Sequence, residues 1–151
     1  MIKRILIIIS LVLVVGVAFY GTRGNNLFKN TVFAVGDLTV NWGVPEGNPI
    51  FVVNNIAPGD METRSVDITN NASTIRLVGV VGILDSDTDS LATALDIVIS
   101  EGSSDLYTGT LDQFFADSSG PNGIFLFDLG SGDTKTVDFK VTFKEDSGNE
   151  F

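Results

Sequence analysis

Pro58-Gly59-Asp60 with Arg64-Ser65-Val66-Asp67-Ile68-Thr69 downstream, and Ser131-Gly132-Asp133 with Thr136-Val137-Asp138-Phe139-Lys140-Val141-Thr142-Phe143 downstream, are two copies of one pattern. In the second copy Val137, Phe139, Val141 and Phe143 share one face, and Thr136, Asp138, Lys140 and Thr142 share the other. A two-residue period of this kind describes an antiparallel strand with one face buried and one wet. The turn before the first strand suits type II geometry, because Pro sets its own φ and Gly accepts the positive φ that follows.

Working outward, apolar or alternating stretches predict further strands at 33–40, 50–53, 63–69, 75–84, 96–100, 125–129 and 135–143. Ile75, Leu77, Val78, Val80, Val81, Ile83 and Leu84 follow one another so closely that this strand reads as central and buried on both faces. Leu91, Ala92 and Leu95 fall at helical spacing behind Asp89 or Ser90, and Leu111, Phe114 and Phe115 do so behind Thr110. Each predicts a short helical turn with a capping side chain in front of it. Phe114, Phe115, Phe125 and Phe127 read as core, with Trp42 and Tyr107 as core residues flanking loops. The expected fold is all-β, a jelly-roll or Ig-like antiparallel β-sandwich with one or two short helical turns.

Residues 1–18 read as a cleavable signal peptide: Lys3 and Arg4, an aliphatic run over 5–17, then Gly16 and Ala18 as the small pair before a cut at Phe19. The run is shorter than the roughly 20 residues of a spanning helix, so the membrane enters only through the leader before cleavage. Processing removes two of the nine basic residues and none of the nineteen acidic ones, moving the net charge from −10 to −12. Such a chain lacks the basic footprint that nucleic acid or anionic lipid requires. With no Cys it has neither a disulfide framework nor a lipid attachment through Cys. The polar residues 19–31 form an N-terminal arm, and 32–151 form the sandwich domain.

Thr31-Val32-Phe33-Ala34-Val35-Gly36-Asp37-Leu38 after a leader, Asn55-Ile56-Ala57-Pro58-Gly59-Asp60, Ile68-Thr69-Asn70-Asn71, and Phe139 to Phe143 followed by Lys144-Glu145-Asp146-Ser147-Gly148-Asn149-Glu150-Phe151 stand in this order along the chain. In these blocks the sequence resembles the TasA/camelysin family of secreted proteins, whose leaders are handled by a dedicated signal peptidase. The resemblance implies a jelly-roll-like sandwich and a role as subunit of extracellular fibres in a biofilm matrix or on a cell surface. It also implies that the domain lacks a last strand after Phe151, where family members continue. Assembly by the fibre-forming members implies that residues 19–31 act as a donor strand, with Phe19, Leu27 and Phe28 as apolar anchors. The partners are then other copies of the chain or related matrix subunits.

The family also carries a metallopeptidase label, which the residues oppose. A zinc peptidase holds its metal through imidazole, and the chain has no His and no Cys. Its Ser and Thr residues have no His to activate them, so no enzymatic activity and no cofactor are expected. Asp85, Asp87 and Asp89 alternate as the first ligands of a calcium loop do, with Asp96 at the twelfth position. Ser90 replaces the usual Gly at the sixth position, and a solvated acidic loop capping a helix is the stronger reading. Asn71-Ala72-Ser73 matches a glycosylation acceptor on a turn. A structural fibre subunit is the leading expectation; a monomeric secreted or cell-surface binding module, stabilised by calcium, is the alternative.

Overall fold

The computed structural model describes residues 11–12, 37–45, 48–52, 56–84 and 90–147. Within them the chain forms eight strands: β1 (Leu11–Val12), β2 (Leu38–Asn41), β3 (Met61–Asn70), β4 (Arg76–Gly82), β5 (Leu95–Glu101), β6 (Ser104–Thr110), β7 (Ile124–Leu129) and β8 (Thr134–Phe143). Helices α1 (Leu91–Ala94) and α2 (Leu111–Asp117) complete it. The strands make two antiparallel sheets, one of five in the order β2-β3-β8-β5-β6 and one of three in the order β1-β4-β7.

Both Gly-Asp turns form as the sequence predicts. Asp60 N–H donates to Ala57 O at 2.9 Å and Asp133 N–H to Gly130 O at 3.2 Å, with Gly59 at φ +87 and Gly132 at φ +77. A side chain at either glycine would strain that positive φ. Each turn also docks on a neighbouring strand: Gly59 N–H donates to Phe143 O at 2.8 Å, and Gly132 N–H to Asn70 O at 2.9 Å. The long strands launched by the turns, β3 and β8, pair with one another from Met61↔Thr142 to Thr69↔Thr134.

Alternation then sorts the side chains. Val66, Ile68, Val137, Phe139, Val141, Ile97 and Ile99 from the five-stranded sheet share one core with Val78, Val80, Phe127 and Leu129 from the three-stranded sheet. Each such side chain contributes about 1.5–3 kcal/mol on burial. Outward positions of the five-stranded sheet form a polar ladder in which Ser65 donates to Asp138 at 2.5 Å, Thr136 to Asp67 at 2.6 Å, and Thr69 and Thr134 meet at 2.8 Å. Cross-strand pairs of this kind hold register without burying anything.

Several expectations need correction. Residues 50–53 were expected as a strand, but Ile50 and Phe51 are buried in irregular backbone and residue 53 lies outside the described residues. β6 was not anticipated, and Tyr107, expected beside a loop, stands within it. β4 is the middle strand of its sheet but is not buried on both faces: Leu77 is 59% exposed, with Ile75 and Ile83 also exposed at its ends. Phe125, expected in the core, is 58% exposed on β7, whereas Phe114, Phe115 and Phe127 are buried as expected. Thr110 caps α2 by accepting from Gln113 N–H at 3.4 Å, but Ser90 precedes α1 in a left-handed conformation with no side-chain cap.

Candidate functional site

Among the described residues, exposed large apolar side chains gather on and around β4. Its sequence Arg-Leu-Val-Gly-Val-Val-Gly is apolar at both parities, so whichever face packs inward, the other remains greasy. Val78 and Val80 take the inner face at 0% exposure, leaving Leu77 outside with Ile75, Ile83 and the Phe125 ring of β7. Phe125 is the Cα partner of Gly79, just past an irregularity in the β4–β7 ladder between Val78 and Gly79. The outer face of the three-stranded sheet is therefore an apolar surface, in contrast to the hydroxyls and carboxylates outside the other sheet.

The end of β4 is fixed from beneath by α2. Gly82 N–H donates to the buried Ser118 Oγ at 2.9 Å, and a Cβ at Gly82 would sit 2.5 Å from Phe114 Cε1 and 2.8 Å from Phe115 Cδ1. Those rings are core and cannot swing away cheaply. Gly82→Ala should therefore cost about 1–3 kcal/mol by overpacking, read as a lower denaturant midpoint at unchanged slope. On the other edge of β4, Leu11 and Val12 pair antiparallel with Gly82 and Val81.

Tyr107 on β6 closes the opposite flank of α2. Its ring meets Phe114 edge-on at 5.5 Å, and its hydroxyl donates to Asp117 at 3.0 Å. Its pKa is pushed up from 10.0 to about 12, by burial first, then by the bond to Asp117 and the negative charges of Asp117 and Asp112. The unfolded chain releases this proton first, so stability should fall as pH rises from about 10 to about 12. Asp117→Asn should bring the Tyr107 titration back toward 10, followed by tyrosinate absorbance in a Tyr20→Phe background.

Asp96, the one calcium candidate among the described residues, is the second residue of β5 and lies 3.6 Å from Lys144 Nζ. Asp85, Asp87 and Asp89 lie outside the described residues, as do Ala18, Phe19, Leu27 and Phe28. Ser90 takes φ 58 and ψ 32, the conformation usual for Gly at the sixth position of a calcium loop. No group of three or more acidic side chains suited to a metal occurs among the described residues. Asn71 is exposed on the turn after β3, and its Nδ2 donates to Thr39 Oγ1 at 2.8 Å.

Asn70 was legible only as part of a motif. It is fully buried, its Nδ2 donates to Thr74 O, Leu129 O and Gly130 O at 2.9 Å each, and its Oδ1 accepts from Ala72 N–H at 2.9 Å. It ties the end of β3 to the end of β7, and so one sheet to the other. No protein-family model matches the chain, and no curated protein matches it significantly. Among the described residues no helix is long and apolar enough to cross a membrane.

Proposed function

We propose that the chain is a structural subunit of an extracellular fibre or biofilm matrix, exported by a leader cut between Ala18 and Phe19 and joined to its neighbours by strand addition. The observation that carries this reading is β4, a strand apolar on both faces whose outer edge is paired, among the described residues, with the two residues of β1. An edge of that kind accepts strands: main-chain hydrogen bonds supply continuity and alternate side chains supply register. Residues 19–31 are the donor, with Phe19, Leu27 and Phe28 as anchors, and a head-to-tail contact that does not close propagates into a filament.

The resemblance to the TasA/camelysin family supports the same reading, with the two sheets as a jelly-roll or Ig-like sandwich. The missing imidazole and thiol ligands support a non-enzymatic role for it. Negative-stain microscopy of the processed protein tests the proposal. Filaments are expected; particles that stay monomeric across concentration would overturn it and favour a secreted binding module.

A further inference from the structure

We propose that the outer face of the three-stranded sheet is a self-association surface, on which a second copy of the chain packs the same face about a two-fold axis crossing Gly79 and Phe125. This contact lies on the sheet's face and strand addition at its edge, and neither requires the other. Every residue in it belongs to β4, to β7 or to the positions flanking β4.

Charge selects a second copy as the occupant. The chain carries a net charge of −10, so two copies repel wherever carboxylates face carboxylates. The outer face of the five-stranded sheet is such a place, with Asp67, Asp96 and Asp138 at its outward positions. Positions 75, 77, 79, 81 and 83, the outward parity of β4 and its flanks, read Ile-Leu-Gly-Val-Ile without a charge. Ile75, Leu77 and Ile83 are exposed, Val81 is half-buried, and the exposed Phe125 stands across the ladder from Gly79. Two like-charged copies can meet there without setting carboxylate against carboxylate.

The order of the stripe fits a two-fold, because Ile-Leu-Gly-Val-Ile is nearly palindromic about Gly79. An axis lying between the two sheets and crossing the strands at Gly79 and Phe125 sets Ile75 over Ile83 of the second copy, and Leu77 over its Val81. The Phe125 rings then meet at the axis, where aromatic pairs stack offset or edge-to-face. Asp128, the Cα partner of Leu77, sits to one side of the axis and its copy falls on the other, so the two do not oppose. Sheets packed face to face in this way lie about 10 Å apart, and an isologous contact closes at two copies. Its size sets its strength. Ile75, Leu77, Ile83 and Phe125 present on the order of 500 Å² of apolar surface, short of the roughly 800 Å² that each partner gives to a standard interface. The pairing is therefore concentration-dependent, not obligate.

The chain has no Cys, so single engineered cysteines report the contact. Leu77→Cys and Val81→Cys chains face one another across the two-fold, but neither cysteine faces its own copy. In the full chain as in the processed one, their mixture should oxidise to a linked dimer about tenfold faster than either chain alone, and than Lys140→Cys on the polar face, because pairing holds the sulfurs together. Phe125→Glu added to both cysteine chains should remove that advantage while moving the unfolding midpoint no more than a surface substitution does. Filament growth adds the same background to every chain and leaves the comparison intact. A mixture no faster than the single chains would overturn the proposal, as would an advantage that survives Phe125→Glu. Flotation with phosphatidylcholine vesicles that Phe125→Glu abolishes, without cross-linking, would give the face to a membrane instead and overturn it too.

Discussion

Asn70→Leu should bring the domain to the edge of unfolding. The substitution keeps the branched outline of the side chain but leaves Thr74 O, Leu129 O and Ala72 N–H without the partner they now have, while Gly130 O keeps its bond from Asp133 N–H. Each group orphaned in this way costs about 1–3 kcal/mol, and the sum is on the order of 5 kcal/mol. Domains of this size hold only about 5–15 kcal/mol in total. Asn70→Asp separates polarity from shape, because it keeps the outline and the acceptor for Ala72 but points a second oxygen at three carbonyl oxygens. It should cost at least as much as the Leu variant in guanidinium unfolding. A loss below about 2 kcal/mol in both would show that Asn70 is not what joins the sheets.

Asn70 also shows how far the sequence could be read. Along β3 the buried positions are Val66, Ile68 and Asn70, so alternation alone places a polar amide at a core position. A polar residue at apolar parity is a signal that something inside must accept and donate to it. Which groups those are depends on β7 and the 130–133 turn, sixty residues away, and no local pattern carries that. The Gly-Asp turns, β3 and β8 were legible for the opposite reason: their geometry follows from single residues and from a period of two.

Elsewhere the pattern was ambiguous on physical grounds. Hydrophobicity at both parities of β4 means that both faces avoid water, not that both are covered within one molecule. Ile75, Leu77 and Ile83 are therefore expected as core when they are outside it, as is Phe125 of β7, whose expected burial rests on Phe being mostly buried. β6 has the reverse problem. Its sequence Ser-Asp-Leu-Tyr-Thr-Gly-Thr carries little apolar alternation, and it joins the sheet through its ladder with β5 rather than through burial. An edge strand with mixed side chains looks like a loop to any rule based on periodicity. The calcium candidate likewise depended on spacing alone, and of its four carboxylates only Asp96 falls among the described residues, facing Lys144.

Deleting residues 19–31 from the processed chain should abolish filaments and leave the domain folded. The two halves of that expectation have separate physical sources. Folding should survive because the described core is drawn wholly from residues between Leu38 and Phe143. Assembly should fail because, in the proposed assembly, the arm is both the ladder partner for a neighbour's β4 and the source of the anchors Phe19, Leu27 and Phe28. Each anchor contributes about 1.5–3 kcal/mol when buried, so losing three removes on the order of 5 kcal/mol, or more than a thousandfold in affinity. An ordinary solvated tail contributes almost nothing, and its removal would leave the critical concentration for assembly unchanged. Phe28→Pro should act in the same direction as the deletion, since it removes an anchor and a ladder donor together. The measurements are filament mass by sedimentation across a concentration series and the unfolding midpoint of the same samples. Filaments from the deleted chain at the parent's critical concentration would exclude residues 19–31 as the donor, whatever occupies the β4 edge.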